Sequence, residues 1–493
     1  LSYLQYKIPP YIHQRTTLEL SKDREYWAYF METGLGKTSV ALVQAAYLWN
    51  CGKIKQCLFI SKNGVDQQII DEAVPVHLPL RENEYFAECW HESGAWRKFD
   101  KFKKTLENSL IILGLNCEAL GTKKGLKACR DLAVRAPTLL IVDESQDFGG
   151  STATRTKNLL SIAPLFPYRR IMSGTPSGGN PLHYYPQMRI LSPSIFPVDL
   201  WGFKARYCIV QKEGIWIKDK KTGAPIKKFF DTVKGYRNLD GLQQIVGQYS
   251  SRVTKSECPD LPPKIYKKST FELSADERTL YNKVKSSVLA ELAPGKYISA
   301  EMAITKLIRL QQIACGFVVF EDLITGEKGK HLLETPSRMV RLLEICAQLE
   351  GKTLIWSRFT LSTEHIVNSL SKVYGSNAVV RYDGTVSSAD KQANKRAFKE
   401  SKDVRFFVGN PKAGGVGLDL PEATNAVYYS NDHSLISRLQ SEDRCHRIIS
   451  KYPVTYVDLV ANKTVDDKIL TALKARYDIA SQLTGDQLRK WIE

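Results

Sequence analysis

The 493-residue chain reads as an α/β protein with two parallel-sheet lobes and a mainly helical, hairpin-containing middle insertion. Three observations predict this. Short apolar runs alternate with helical patterns over the first 190 residues. The same style returns over residues 339–475, and the stretch between them follows a different pattern. The expected domains are 1–199, 200–335 and 336–493.

In the first lobe, Cys57-Leu58-Phe59-Ile60, Leu110-Ile111-Ile112-Leu113 and Leu139-Leu140-Ile141-Val142 read as buried strands. Unbroken apolar runs of this length suit a parallel sheet covered on both faces. Thr353-Leu354-Ile355-Trp356, Arg405-Phe406-Phe407-Val408 and Ala426-Val427-Tyr428-Tyr429 read the same way in the last lobe. In the middle, 214–218 and 226–230 flank a Lys-Lys-Thr-Gly-Ala-Pro turn, a basic hairpin pattern. Asn238 is placed to cap one helix, and Ser274 with Glu277 forms a capping-box pattern before another. A third helix is expected to stop near Gly316, and Leu261-Pro262-Pro263 is a stiff connector.

With 43% hydrophobic and 25% charged residues, a wholly disordered chain is excluded. Seventy Lys and Arg against 52 Asp and Glu give a formal net charge of +18. That balance favours a polyanion, nucleic acid first and an anionic membrane surface second, over a merely basic protein. No run approaches the roughly 18 apolar residues of a membrane span. No apolar leader opens the sequence, so secretion is not expected. The ten cysteines form no CxxC pair, which points to reduced thiols rather than a zinc knuckle or disulfide scaffold.

Three segments carry chemistry. Residues 31–38 read Met-Glu-Thr-Gly-Leu-Gly-Lys-Thr, the end of a phosphate loop with Met31 at the usual first glycine. Gly34, Leu35 and Gly36 would curl backbone N–H groups around phosphates, with a helix N-terminus behind them. Lys37 would reach the β/γ-phosphates and Thr38 would offer a hydroxyl to Mg²⁺. An ordinary strand-to-helix turn is the alternative. Asp143-Glu144 follows an apolar strand, where α/β sheets bind ligands. Asp143 would hold a Mg²⁺ water shell and Glu144 would position or deprotonate water; a solvated turn is the alternative. Arg444 and Arg447, three apart in Gln-Ser-Glu-Asp-Arg-Cys-His-Arg, would stabilise a transferring phosphoryl group or lie on an exposed helix.

Taken together and in this order, these segments resemble the superfamily 2 helicases, in particular the Swi/Snf-like DNA translocases. Pro10 to Gln14 looks like the adenine-reading Gln motif, and Phe59 to Lys62 like motif Ia. Leu115 to Leu120 looks like motif Ib, and Ser173-Gly174-Thr175-Pro176 like motif III. Arg252 to Lys255 and Leu261 to Lys264 look like the segment between the lobes, with Leu310 to Ile313 following in the helical region. Ile355 to Phe359, Tyr382 to Thr385, Ala413 to Leu420, Gln440 to Arg447 and Thr464 to Asp467 resemble motifs IV, IVa, V and VI and the segment after VI. Motif II departs from the common DEAH, reading DESQ, so the family pattern alone does not specify how Gln146 meets motif III. Ile448-Ile449-Ser450 stands where glycines usually follow motif VI.

The resemblance implies two RecA-like lobes, ATP and Mg²⁺ as cofactors, and DNA, duplex or branched, as partner, without a membrane. Gln14, Gly34, Leu35, Gly36, Lys37 and Thr38 would bind ATP, with Thr38 and Asp143 on Mg²⁺. Lys37, Asp143, Glu144, Gln440, Arg444 and Arg447 would be catalytic. Lys62, Asn116, Arg358, Thr385 and Gly414 would grip DNA phosphates, and Ser173, Thr175 and Asp419 would couple nucleotide state to grip. The alternatives are a solvated lysine for Lys62, a helix cap for Asn116 and a turn residue for Thr385. Basic clusters at 97–104 and in the hairpin (Lys218, Lys220, Lys221, Lys227, Lys228) suit nucleic acid or solvent. The expected activity is a DNA-dependent ATPase that translocates on duplex or branched DNA. A strand-separating helicase and an ATP-switched DNA-binding module are the alternatives. A minimal motor of this kind is typical of bacterial or bacteriophage members. That implies a cytoplasmic location, or a nuclear one in a eukaryote, and leaves room for a protein partner that supplies specificity.

Overall fold

The computed structural model describes residues 4–90, 108–218, 225–257, 262–291, 300–321, 328–412, 418–447, 450 and 452–484. The basic cluster at 97–104, Lys220, Lys221 and Gly414 lie outside these. The chain divides into two compact units, one of Leu1–Val210, Val233–Pro259 and Asp478–Leu488, the other of Gln211–Thr232, Asp260–Tyr477 and Arg489–Glu493.

The strands, in chain order, begin with β1 (Tyr26–Met31), β2 (Gln56–Ser61), β3 (Tyr85–Cys89), β4 (Leu110–Asn116), β5 (Thr138–Val142) and β6 (Tyr168–Met172). Then come β7 (Cys208–Lys218), β8 (Pro225–Tyr236), β9 (Ser250–Val253), β10 (Lys264–Phe271), β11 (Phe317–Glu321) and β12 (Lys328–Leu332). The last are β13 (Lys352–Trp356), β14 (Val379–Tyr382), β15 (Phe406–Gly409), β16 (Ala423–Tyr428) and β17 (Val454–Ala461).

The first unit is built on a seven-stranded sheet ordered β3-β4-β2-β5-β6-β1-β9, with every pairing parallel. Ile60 lies in register with both Leu115 and Val142. Leu58, Phe59 and Ile60 are all fully buried, so successive residues are covered on opposite faces, as the apolar run predicts. The second unit has a six-stranded sheet ordered β10-β17-β16-β13-β15-β14, again all parallel. Strands β7 with β8 and β11 with β12 pair as separate two-stranded sheets, where the basic hairpin was expected for the first. The middle of the chain also lends an edge strand to each large sheet, β9 beside β1 and β10 beside β17.

Two of the three expected helix signals fold as read, and the Asn238 side-chain cap does not form. Ser274 N–H donates to Glu277 at 2.9 Å and Glu277 N–H to the Ser274 hydroxyl at 3.3 Å, closing the capping box of helix Ala275–Glu291. Helix Ala300–Ala314 ends at Gly316, whose φ of +88° favours glycine. Asn238 precedes helix Leu239–Gly247 in a left-handed conformation, but its side chain makes no cap hydrogen bond.

Strand β6 was not anticipated, because Arg169 and Arg170 break its apolar pattern. Both are buried. The Arg170 guanidinium donates to the carbonyls of Ser21, Arg24, Glu25 and Arg169 at 2.7–3.0 Å. It thereby satisfies the carbonyl of Ser21, the last residue of helix Ile12–Ser21. Arg338 plays the same part in the second unit. Fully buried, it donates to the carbonyls of Ala314 (2.8 Å), Leu459 (3.0 Å) and Tyr429, and pairs with the Asp466 carboxylate.

Removing one member of a buried ion pair leaves its partner uncompensated. Asp466→Ala should therefore lower the stability of the second unit by about 3–5 kcal/mol in urea unfolding. Arg396→Ala, which breaks an exposed pair with Glu400, should stay within about 0.5 kcal/mol. Equal effects would show that Arg338 does not depend on Asp466.

Candidate functional site

In the first unit every predicted site residue except Gln14 ends a parallel strand or follows its carboxyl end, where such sheets present ligand-binding loops; Asn116 is the last residue of β4. Residues 32–36 leave β1 and run into helix Lys37–Asn50. Gly34 and Gly36 have φ of +87° and +84°. Leu35 is buried, and its carbonyl accepts from Gln14 Nε2 at 3.1 Å and lies 3.0 Å from His13 Nε2. Gln14 Oε1 in turn accepts from Tyr11 N–H at 3.1 Å, so the carboxamide is pinned between its own helix start and the loop. A Cβ on Gly36 would meet Gln14 Nε2 at 2.0 Å. Lys37 is buried with its ammonium 2.9 Å from the Met31 carbonyl, and Thr38 is half-buried on the first helical turn.

Asp143 and Glu144 follow β5. Asp143 N–H donates to the Ile60 carbonyl at 2.8 Å, and its Oδ1 accepts from Glu144 N–H at 2.9 Å. Burial and the neighbouring Glu144 charge push the Asp143 carboxyl up to about 7, against the pull of Lys37. A cation would relieve that opposition. The donors are a carboxylate and the Thr38 hydroxyl, the hard oxygens that suit Mg²⁺ shared with phosphate and water. Among the described residues no cluster of three or more His, Cys, Asp or Glu offers an all-protein metal site.

Glu144 adopts φ +46° and is buried. Its carboxylate accepts from Gln146 Nε2, and Gln146 Oε1 accepts from the Ser173 hydroxyl at 2.5 Å. Ser173 Oγ accepts from Thr175 N–H at 3.0 Å. The glutamine at the departing position of motif II thus forms the link to motif III. Gly174 brings motif III against the phosphate loop, since a Cβ there would stand 2.8 Å from Thr33 Oγ1.

Glu32 and Arg252 fall within the phosphate-loop and inter-lobe segments, but the sequence assigned neither a role. Glu32 accepts from Lys255 N–H at 2.8 Å and faces the Arg252 guanidinium at 3.8 Å. Arg252 also donates to the Phe30 carbonyl at 3.1 Å. Edge strand β9 is stitched to the phosphate loop through these contacts.

The expected phosphate grips of this unit are already engaged. Lys62 pairs with Asp147 at 3.1 Å. Burial works against its ammonium, but the charges of Asp147 and Glu144 outweigh it and hold its pKa above the ordinary lysine value. Asn116 Oδ1 accepts from Ala119 N–H at 2.9 Å, a cap on the turn after β4.

In the second unit, Arg358 follows β13 and donates to Gln311 Oε1 at 2.8 Å, while Gln311 Nε2 donates to the Asn431 carbonyl at 2.8 Å. Thr385 is exposed, with its hydroxyl 2.6 Å and its N–H 2.8 Å from Asp383 Oδ1. Burial opposes the Asp383 charge, but these bonds and Arg381 outweigh it and hold the carboxyl below its ordinary range.

Motif VI is anchored by Arg438, a residue that lies just before it and was not singled out. Arg438 is buried and donates to Asp458 Oδ2 at 3.0 Å, Asn431 Oδ1 at 2.8 Å and Glu442 Oε1 at 2.9 Å. Glu442 also accepts from Lys264 at 3.0 Å and Tyr266 at 2.7 Å, both on β10. Gln440 is half-buried on helix Leu435–Glu442. Arg444 donates to the Leu418 carbonyl at 3.3 Å. Arg447 pairs with Asp419, and its buried Nε has no hydrogen-bond partner among the described residues.

Two outcomes follow. Gly36→Ala combines a left-handed φ, costing an alanine about 1–2 kcal/mol, with a clash on Gln14. It should weaken ATP binding roughly tenfold by calorimetry, and unchanged affinity would separate the loop shape from nucleotide binding. Asp143 holds its proton longer in the folded than in the unfolded state. Its contribution to stability is therefore fully present below about pH 4 and lost as pH rises through about 7. In EDTA, Asp143→Asn should raise the unfolding midpoint at pH 8 and leave it nearly unchanged at pH 4; a pH-independent difference would contradict the assigned shift.

With the geometry in view, the chain was compared with known proteins. It is 31% identical to human lymphoid-specific helicase over 160 residues, 32% of this chain and 18% of that protein. It is 26% identical to the mouse DNA annealing helicase and endonuclease ZRANB3 over 72% of this chain and 31% of that one. The Xenopus tropicalis SWI/SNF-related matrix-associated actin-dependent regulator of chromatin subfamily A containing DEAD/H box 1 is 22% identical over 92% and 49%. The chain spans less than half the length of these curated relatives. The Sulfolobus solfataricus SWI2/SNF2 ATPase core solved with dsDNA is 19% identical, with a TM-score of 0.42 over 98% of this chain and 96% of that one. The helicase conserved C-terminal domain model matches residues 335–449. The SNF2-related domain model matches residues 30–316, more than half the chain, and the chain therefore belongs to the SNF2-related family of ATPases.

Proposed function

We propose that this chain hydrolyses ATP to translocate on double-stranded or branched DNA. One observation carries the reading: a continuous hydrogen-bonded path, Glu144–Gln146–Ser173–Thr175, joins the acid pair to motif III, whose Gly174 packs against the glycine-shaped phosphate loop. Such a path lets a change at the phosphates reach another loop. The net charge of +18 supports a polyanionic track. The printed names of relatives, such as the DNA annealing helicase, support DNA as that polyanion.

In this reading residues 1–199 and 336–493 are motor lobes, and 200–335 link them while lending each sheet an edge strand. Gln14 recognises the nucleotide base while holding the Leu35 carbonyl. Gly34, Leu35 and Gly36 wrap the phosphates, and Lys37 leaves the Met31 carbonyl for a phosphate oxygen. Thr38 and Asp143 would hold Mg²⁺, which when bound neutralises the β/γ-phosphate oxygens. Glu144 orients and deprotonates the attacking water, which Gln440 helps to place. Arg444 and Arg447 spread positive charge over the transferred phosphoryl group, for which the unused Arg447 Nε is a spare donor. Lys62 would exchange Asp147 for a DNA phosphate, and Arg358, Thr385, Asn116 and Gly414 would contact the backbone rather than bases. Ser173, Thr175 and Asp419 would relay nucleotide state to these contacts.

ATP turnover should rise most with duplex or branched DNA, less with single strands and least with RNA. Glu144→Gln should abolish nearly all turnover while ATP still binds. Greatest stimulation by RNA would overturn the DNA assignment, and turnover indifferent to Glu144→Gln would overturn the catalytic one. Displacement of a triplex strand without duplex separation would mark translocation; separation of the duplex would favour a helicase.

A further inference from the structure

The turn bearing the acid pair and the turn bearing Ser173 are joined twice, and the second join uses a residue outside every motif. Gln187 lies on helix Tyr184–Leu191 and is fully buried. Its Oε1 accepts from the Ser145 hydroxyl at 2.7 Å. Its Nε2 donates to the carbonyls of Pro176, at 2.7 Å, and His183, at 2.8 Å. Ser145 is itself fully buried and adjoins Glu144, while Pro176 closes motif III. One carboxamide therefore bridges both turns, and its second N–H is held by the His183 carbonyl at the start of its own helix.

The base of this bridge is firm. Met188, Ile190 and Leu191 of the same helix are fully buried in the core. The loop after the acid pair sits tightly on the helix start, since a Cβ on Gly149 would stand 2.6 Å from His183 Cγ. Such support is needed because Glu144 holds a left-handed backbone that a non-glycine residue leaves when released. Gln146 grips the Glu144 carboxylate from one side, and Gln187 holds the side-chain hydroxyl of the next residue, Ser145.

We propose that Gln187 is a positioning residue for the ATP chemistry: through Ser145 and the Pro176 carbonyl it fixes the Glu144 turn against motif III. This rests on the hydrolytic reading given above. Gln187→Met keeps the length and apolar packing but removes the acceptor and both donors. Its DNA-stimulated kcat should fall about tenfold or more, with KM for ATP within about twofold of the parent. Ser145→Ala, which deletes one buried hydroxyl, should show the same split. The double variant should be no worse than the poorer single one, because both act through one link.

A folded Gln187→Met protein with kcat close to the parent, or losses that multiply in the double variant, would overturn the proposal. If Gln187→Met does not fold, Ser145→Ala decides alone by the same criterion. A parent without DNA-stimulated turnover would instead sink the translocase reading. Hydrogen–deuterium exchange then judges the link by itself: faster exchange at 173–178 in either variant supports it, and unchanged exchange overturns it.

Discussion

Parallel strands covered on both faces leave almost no place for polar chemistry except at their ends, and this constraint organises the whole molecule. A residue in mid-strand is mostly apolar, and a polar one there needs partners or a covering ring, as Arg170 has carbonyls and Arg169 has Tyr26. A residue one or two positions past the strand is free to be Asp143, Ser173, Lys62 or Arg358. Both units obey this rule independently, so their loops of interest gather at the carboxyl ends of two separate all-parallel sheets.

Buried arginines reinforce each unit from behind. Arg170, Arg338 and Arg438 are nearly or wholly inaccessible, and each binds groups from several elements. Arg170 uses four main-chain carbonyls, which disperse its charge without a carboxylate. Arg338 adds Asp466, and Arg438 adds Asp458 and Glu442. A planar fork with five donors suits this work where lysine would not. Arg170 and Arg338 thus convert loose carbonyl ends into fixed corners, while Arg438 ties the side chains of Asp458, Asn431 and Glu442 together behind motif VI.

Much of the fold was readable because apolar runs such as Cys57–Ile60 and Leu139–Val142 have one physical meaning. The phosphate loop and acid pair were readable because their backbone demands are local: glycines with positive φ, and acids just beyond a strand. Strand β6 was hidden because Arg169 and Arg170 look polar until the Tyr26 ring beneath Arg169 and the distant carbonyls that accept from Arg170 are known. Arg252 was located by its motif but its pairing with Glu32 was not, and Arg438 and Gln187 were hidden because key partners, Asp458 and Ser145, lie on other elements. Lys62 and Asn116 show the converse: the motif located them, but only the structure revealed that Asp147 and Ala119 already engage them. How Gln146 meets motif III became visible only when Ser173 was seen 2.5 Å away.

Glu144 carries a cost that none of its neighbours shares. At φ +46° and ψ +49° it occupies a region where glycine is at ease and a side chain loses about 1–2 kcal/mol. A chain selected for durability alone would place glycine or asparagine there. Retaining a carboxylate means that the most strained backbone of the turn coincides with its most reactive group. Replacements at 144 that gain thermal resistance are therefore the ones that give up the carboxylate, and laboratory selection for heat tolerance would tend to erode this position first.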